Sequence, residues 1–89
     1  MNDSLTIDNM IRSVLKDHGR LSKDPHAIEP HADLYQAGMT SHASVNVMLA
    51  LEGAFDVEFP DHMLKRSVFA SVLSIREALG QLPGARGLQ

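Results

Sequence analysis

Asp33-Leu34-Tyr35-Gln36-Ala37-Gly38-Met39-Thr40-Ser41-His42-Ala43-Ser44-Val45-Asn46-Val47-Met48-Leu49-Ala50-Leu51-Glu52-Gly53-Ala54-Phe55 is the stretch on which the fold turns. Its first seven residues form a tight approach containing Gly38, a residue suited to backbone angles that a Cβ disfavours. From Ser41 to Phe55 the apolar residues take up the helical period. At about 100° per residue, Val47, Met48, Leu51 and Phe55 fall within one arc of roughly 100°, so these four should face a core. Val45 and Leu49 lie well over about 100° from the centre of that arc and should be at least partly exposed. Two exposed apolar side chains one turn apart are either incidental surface or a docking patch.

Toward the N-terminus, Ile7, Met10, Ile11, Val14 and Leu15 recur at three and four within residues 5–18, which predicts an amphipathic first helix. Asp3 or Ser4 can cap its start, and Gly19 suits a left-handed residue just past its end. Residues 20–32 hold Pro25 and Pro30 without a sustained period, so a long loop is expected, anchored by Leu21, Ile28 and Leu34. Toward the C-terminus, Pro60-Asp61 is a helix-start signature with the aspartate as cap, and it predicts a short third helix at about 62–66. Ser71 then caps a last helix with Val72, Ile75 and Leu79 facing inward and Gly80 ending it. Val57-Glu58-Phe59 has strand character but is too short to build a sheet. The expected fold is all-α: a small four-helix bundle with a long loop between helices one and two and a short third helix. The domain is expected over residues 1–80, followed by a disordered tail at 81–89 that contains Pro83, Gly84 and Gly87.

Composition narrows the chemistry. Eighty-nine residues, 44% apolar, suffice for one modest core and leave little over for a substrate cleft walled by the chain itself. There is no cysteine, which excludes a disulfide framework, a thiolate metal site and a thiol nucleophile made by the polypeptide. Any thiol must be imported. Eleven acids against eight bases, for a net charge of −3, with one Tyr, three Phe and no Trp, argue against a nucleic-acid partner on both electrostatic and stacking grounds. The longest apolar run, Val47 to Leu51, is far below the roughly 18 residues of a membrane span, and the N-terminus lacks the basic start and apolar core of a secretory signal. A cytoplasmic protein with no membrane partner is expected. His18, His26, His31, His42 and His62 form no pair four residues apart, so no metal site is expected.

The residues from Asp33 to Ser41, followed by Val45, Leu49, Leu51-Glu52 and Phe55-Asp56-Val57-Glu58-Phe59-Pro60-Asp61, resemble the acyl and peptidyl carrier proteins, over about residues 5–80. The resemblance implies that the serine after the glycine-hydrophobic pair, Ser41 here, bears a 4′-phosphopantetheine arm derived from coenzyme A, with Thr40 and His42 as flanking candidates for contact with it. The arm's thiol would hold cargo as a thioester. A helix N-terminus, with its unpaired amide hydrogens and partial positive charge, is a favourable seat for a phosphodiester. The plain alternative is that Ser41 only caps the helix, as serines often do. His42 does not turn Ser41 into a hydrolase nucleophile, because adjacent helical side chains point about 100° apart. No catalytic residue is assigned, and the chain is not expected to be an enzyme.

The usual fatty-acid carrier has Asp-Ser-Leu at the attachment site and several acids along its second helix. Here Thr40-Ser41-His42 replaces the triplet, and Glu52 is the sole charge from Ser41 to Phe55. Electrostatic steering of partners should therefore be weak, and docking on Val45 and Leu49 gains weight. Thr40-Ser41, Ala43-Ser44-Val45, Leu49-Ala50-Leu51-Glu52 and Phe59-Pro60 are similar to stand-alone carriers that ligases resembling shortened class II aminoacyl-tRNA synthetases load with an amino acid. That resemblance implies a ligase that makes an aminoacyl-adenylate from ATP. The expected partners of a monomeric carrier are a phosphopantetheinyl transferase, an amino acid:carrier protein ligase or other acyl-loading enzyme, and a downstream acceptor enzyme. Lys65-Arg66 is either a partner contact or a solvated basic turn. Two other readings stay open: an ordinary acyl carrier for fatty-acid or polyketide-type synthesis, and an unmodified helical interaction module.

Overall fold

Three α-helices form among the described residues, where the apolar period is sustained: α1 (Asp3–Val14), α2 (Ser41–Phe55) and α3 (Val72–Gly80). The structure, a computed structural model, describes residues 3–82, with side chains from Thr6 onward. The expected side-chain caps Asp3 and Ser4, and residues 83–89 of the expected tail, lie outside the described set. No strand occurs among the described residues, so the architecture is all-helical.

α1 buries Ile7 and Ile11 on one face, and the stripe runs on through Leu15 into a wider π turn, Leu15–Gly19. That turn corrects the expected helix end. The left-handed residue is Arg20 (φ 57°, ψ 40°), not Gly19, because the widened turn carries the chain one residue further before it reverses. Gly19 is instead buried against α2, where an added Cβ would meet Leu15 at 3.5 Å and Val47 at 3.7 Å. On α2, Ala43, Val47, Leu51 and Phe55 form the buried face, and Met48 sits half-buried at its margin.

Residues 20–40 contain turns but no helix, and backbone groups at Pro25, Ile28, Pro30 and Leu34 tie the segment to the rest of the fold. Arg12 donates from Nη1 to the carbonyl of Pro25 at 2.7 Å and also to that of Ile28. Leu73 N–H donates to Pro30 O at 3.0 Å and Leu34 N–H to Ala70 O at 2.7 Å, which joins the segment to the start of α3. Ile28 and Leu34 are buried and Leu21 is half-buried, so all three expected anchors reach the core.

The expected short third helix does not form. Residues 61–69 make two 3-10 turns, Asp61–Met63 and Arg66–Phe69, separated by Leu64 (ψ 64°) and an extended Lys65 (φ −122°, ψ 150°). Met63 and Phe69 are both buried, and six residues apart on one α-helix they would point about 120° away from each other. Breaking the helix at Leu64-Lys65 lets both side chains enter the core. Asp61 does not cap either turn; Pro60 occupies that position without a side-chain bond.

α3 opens on a reciprocal capping box. Ser71 Oγ accepts from Ser74 N–H, and Ser74 Oγ accepts from Ser71 N–H, each at 3.0 Å. Val72, Ile75, Ala78 and Leu79 are buried on its inner face, and Arg76 pairs with Asp8 of α1 at 3.2 Å. Gly80 lies inside α3 rather than past it, and Gln81 N–H closes the end on the carbonyls of Ala78 and Leu79. Leu82 is buried, so packing continues beyond residue 80. No helix of the described residues is long and apolar enough to cross a membrane, and no cluster among them could hold a metal ion.

Candidate functional site

The approach to α2 is fixed by backbone bonds. Gly38 adopts φ 114°, where L side chains are strained, and a Cβ there would lie 3.4 Å from Ser22 N. Ser22 donates from both its amide and its hydroxyl to Ala37 O, each at 2.8 Å, and Met39 N–H donates to Leu34 O at 3.0 Å. Thr40 then stands in extended conformation as the N-cap, its Oγ1 accepting from Ala43 N–H at 3.0 Å. The capping role thus falls to Thr40, and Ser41 is left exposed in the first turn. Ser41 uses its carbonyl to accept from Ser44 Oγ at 2.7 Å, while its own hydroxyl takes part in none of the described hydrogen bonds.

Ser41 lines a groove of about 310 Å³ between α2 and the segment 64–69. α2 contributes Ser41, Ser44, Val45 and Met48, the approach contributes Tyr35, the link between the 3-10 turns contributes Leu64 and Lys65, and the second turn contributes Arg66 and Phe69. The groove is mostly apolar, with Tyr35, Ser41, Ser44, Lys65 and Arg66 as its polar lining residues. Two contacts shape its wall. Tyr35 donates its phenol hydrogen to Arg66 O at 3.3 Å, and the Arg66 guanidinium carbon sits 3.7 Å from the centre of the Tyr35 ring. Phe69 packs edge-on against Phe59 with ring centres 5.4 Å apart. Glu52 Oε2 accepts from Phe59 N–H at 2.8 Å, so the sole carboxylate of α2 is bound to the backbone that leads into the turns.

Of the residues singled out in the sequence, the fold brings Ser41, Val45, Lys65 and Arg66 together around this groove. Thr40 is committed to the cap, and His42 and Leu49 are exposed but outside the groove lining. Val45 and Leu49 are 49% and 55% exposed, as the helical arc requires, and Leu64 joins them at 45%. Sequence reading missed Tyr35, Ser44, Met48, Leu64 and Phe69. Their available signals were faint: Tyr35 is the chain's one tyrosine, and Leu64 is an apolar residue beside a basic pair with no helical stripe to join.

Residues 6–79 match the family described as the phosphopantetheine attachment site. The chain belongs to the phosphopantetheine-binding carrier proteins. The carrier is 46% identical over 69 residues to the aminoacyl carrier protein of Agrobacterium fabrum, covering 78% of this chain and 83% of that one. It superposes with a TM-score of 0.79 and 44% identity on a carrier protein from Agrobacterium tumefaciens, solved with an engineered Bradyrhizobium japonicum glycine:carrier protein ligase and AMP; 81% of this chain and 96% of that one are covered. A glycylated carrier protein solved with the Bradyrhizobium japonicum ligase matches at 26% identity and a TM-score of 0.70, over 82% of this chain and 97% of that one. The cofactor of this family is 4′-phosphopantetheine. The geometry fits it: an exposed hydroxyl free of capping duty lines a mostly apolar groove that Lys65 and Arg66 also line.

Proposed function

We propose that this carrier holds an amino acid as a thioester and that Ser41 is the residue to which the arm is attached. The observation that carries the assignment of Ser41 is the division of labour at the start of α2, where Thr40 caps the helix and leaves the Ser41 hydroxyl exposed. In the loading step, Ser41 Oγ attacks the phosphorus of coenzyme A that bears the pantetheine. An O–P bond forms, the pyrophosphate bond breaks and adenosine 3′,5′-bisphosphate departs. The hydroxyl proton passes to a base of the transferase, which also supplies magnesium. When bound, the arm provides the thiol that this cysteine-free chain lacks.

An amino acid is favoured as cargo by the likeness to an aminoacyl carrier protein and to carriers solved with a glycine:carrier protein ligase. We infer that Val45, Leu49 and Leu64 form the apolar surface that such a ligase covers, with Lys65 at its edge. The carrier leaves bond chemistry to its partners and works in the cytoplasm, where coenzyme A and ATP are supplied. Intact mass after co-expression with a phosphopantetheinyl transferase tests the first step. Wild type should gain one arm and Ser41→Ala none; an arm on another serine would overturn the assignment. Incubating the holo protein with glycine, ATP and a glycine:carrier protein ligase tests the second, with a glycyl mass increment expected.

A further inference from the structure

We propose that Arg66, held in place by Tyr35, is the counter-charge for the phosphodiester on Ser41 and fixes the root of the arm in the groove. This rests on the assignment of Ser41 made above. Ser41 and Arg66 line the same groove, in which Arg66 and Lys65 are the two cations and Val45, Met48, Leu64 and Phe69 offer an anion nothing. A phosphodiester on Ser41 would therefore find its counter-charge among the cations that line the same groove.

The way Arg66 is held suits that role. Its guanidinium lies over the Tyr35 ring with the carbon 3.7 Å from the ring centre. Stacking uses the face of a guanidinium, while its N–H donors lie in the plane and stay available for two parallel bonds to phosphate oxygens. No carboxylate holds that fork, since the one ion pair among the described residues is Asp8–Arg76. The platform is fixed as well. Tyr35 N–H donates to the Asp33 carboxylate at 2.9 Å, and its phenol donates to the Arg66 carbonyl at 3.3 Å. Ring, backbone and guanidinium are thus in contact with one another without the arm, an arrangement that would lower the entropy cost of gripping it. Lys65, on the same rim, adds a mobile point charge without the fork. Arg66 is a positioning residue for the arm and takes no part in forming or breaking its bonds.

The test compares apo and holo forms of wild type, Arg66→Gln, Arg66→Lys and Tyr35→Leu, after intact mass has verified one arm on Ser41. In wild type, the Arg66 Nε–H resonance should move on conversion from apo to holo at low salt, and most of that shift should be lost at about 0.5 M salt. The phosphorus resonance of holo Arg66→Gln should differ from that of holo wild type, with Arg66→Lys and Tyr35→Leu in between. An Arg66 Nε–H unchanged between apo and holo, with the arm verified on Ser41, would overturn this proposal and leave the carrier assignment standing. Absence of the arm from Ser41 would overturn both. Should Arg66→Gln fail to fold, the wild-type Nε–H shift and its salt dependence decide the matter alone.

Discussion

Two hydroxyls stand side by side where α2 begins, and the backbone uses only that of Thr40. Thr40→Ala removes the acceptor for Ala43 N–H and should cost about 1 kcal/mol, whereas Ser41→Ala should change stability by less than about 0.5 kcal/mol. Urea denaturation of the two apo variants checks this, and a marked loss in Ser41→Ala would mean that its hydroxyl has a structural duty. Backbone angles supply a second pair of opposite sign. Gly38 sits at φ 114° with Ser22 N close to where a Cβ would be, so Gly38→Ala should destabilise by about 1–3 kcal/mol. Asp56 ends α2 in the left-handed region (φ 57°, ψ 51°), a conformation that penalises a Cβ by roughly 1–2 kcal/mol. Asp56→Gly should therefore raise the denaturation midpoint, though by less than that penalty because glycine also loosens the unfolded chain.

Within α2 the two faces should respond independently. Phe55 is fully buried, and Phe55→Ala should cost roughly 3–5 kcal/mol. Leu49 is 55% exposed, so Leu49→Glu should leave thermal stability nearly unchanged while slowing loading by the ligase. A strongly destabilised Leu49→Glu would contradict the exposure seen here, and normal loading would remove Leu49 from the docking surface. The bounds and faces of α2 were legible in the sequence because the apolar period acts within neighbouring turns, whereas the cap was not: the sequence offered Ser41 for that role, and Thr40 fills it. The π turn after α1 was not, since it leaves the apolar spacing of Ile7, Ile11 and Leu15 intact. The failure of a helix at 62–66 was equally hidden: Pro60-Asp61 gives a sound local start signal, and only the need to bury both Met63 and Phe69 overrides it. The same holds for the site. Ser41 and Val45 could be found from one helix, but the groove needs Tyr35, Leu64 and Phe69, which three separate segments bring together only after folding.

At the scale of the whole molecule, the question is where cargo resides. The interior is a continuous apolar cluster joining all three helices with Ile28 and Leu34. A long acyl chain that entered it would gain about 0.8 kcal/mol per methylene, whereas an amino acid carries an ammonium group that resists burial. Glycyl loading should thus leave the chemical shifts of Leu51, Val68 and Ile75 near their holo values. Large shifts at these positions with an octanoyl group, together with efficient loading by a fatty-acid synthetase and none by an amino-acid ligase, would favour an ordinary acyl carrier. Partner choice depends on a smaller feature. α2 carries a single carboxylate, Glu52, which accepts from Phe59 N–H at one oxygen, so the helix offers a partner little charge to be steered by. With one charge on the docking helix, association with a partner should depend only weakly on ionic strength, which stopped-flow association rates across a salt series would check. Enzymes that find their carriers by attraction to an acidic helix should then discriminate against this one.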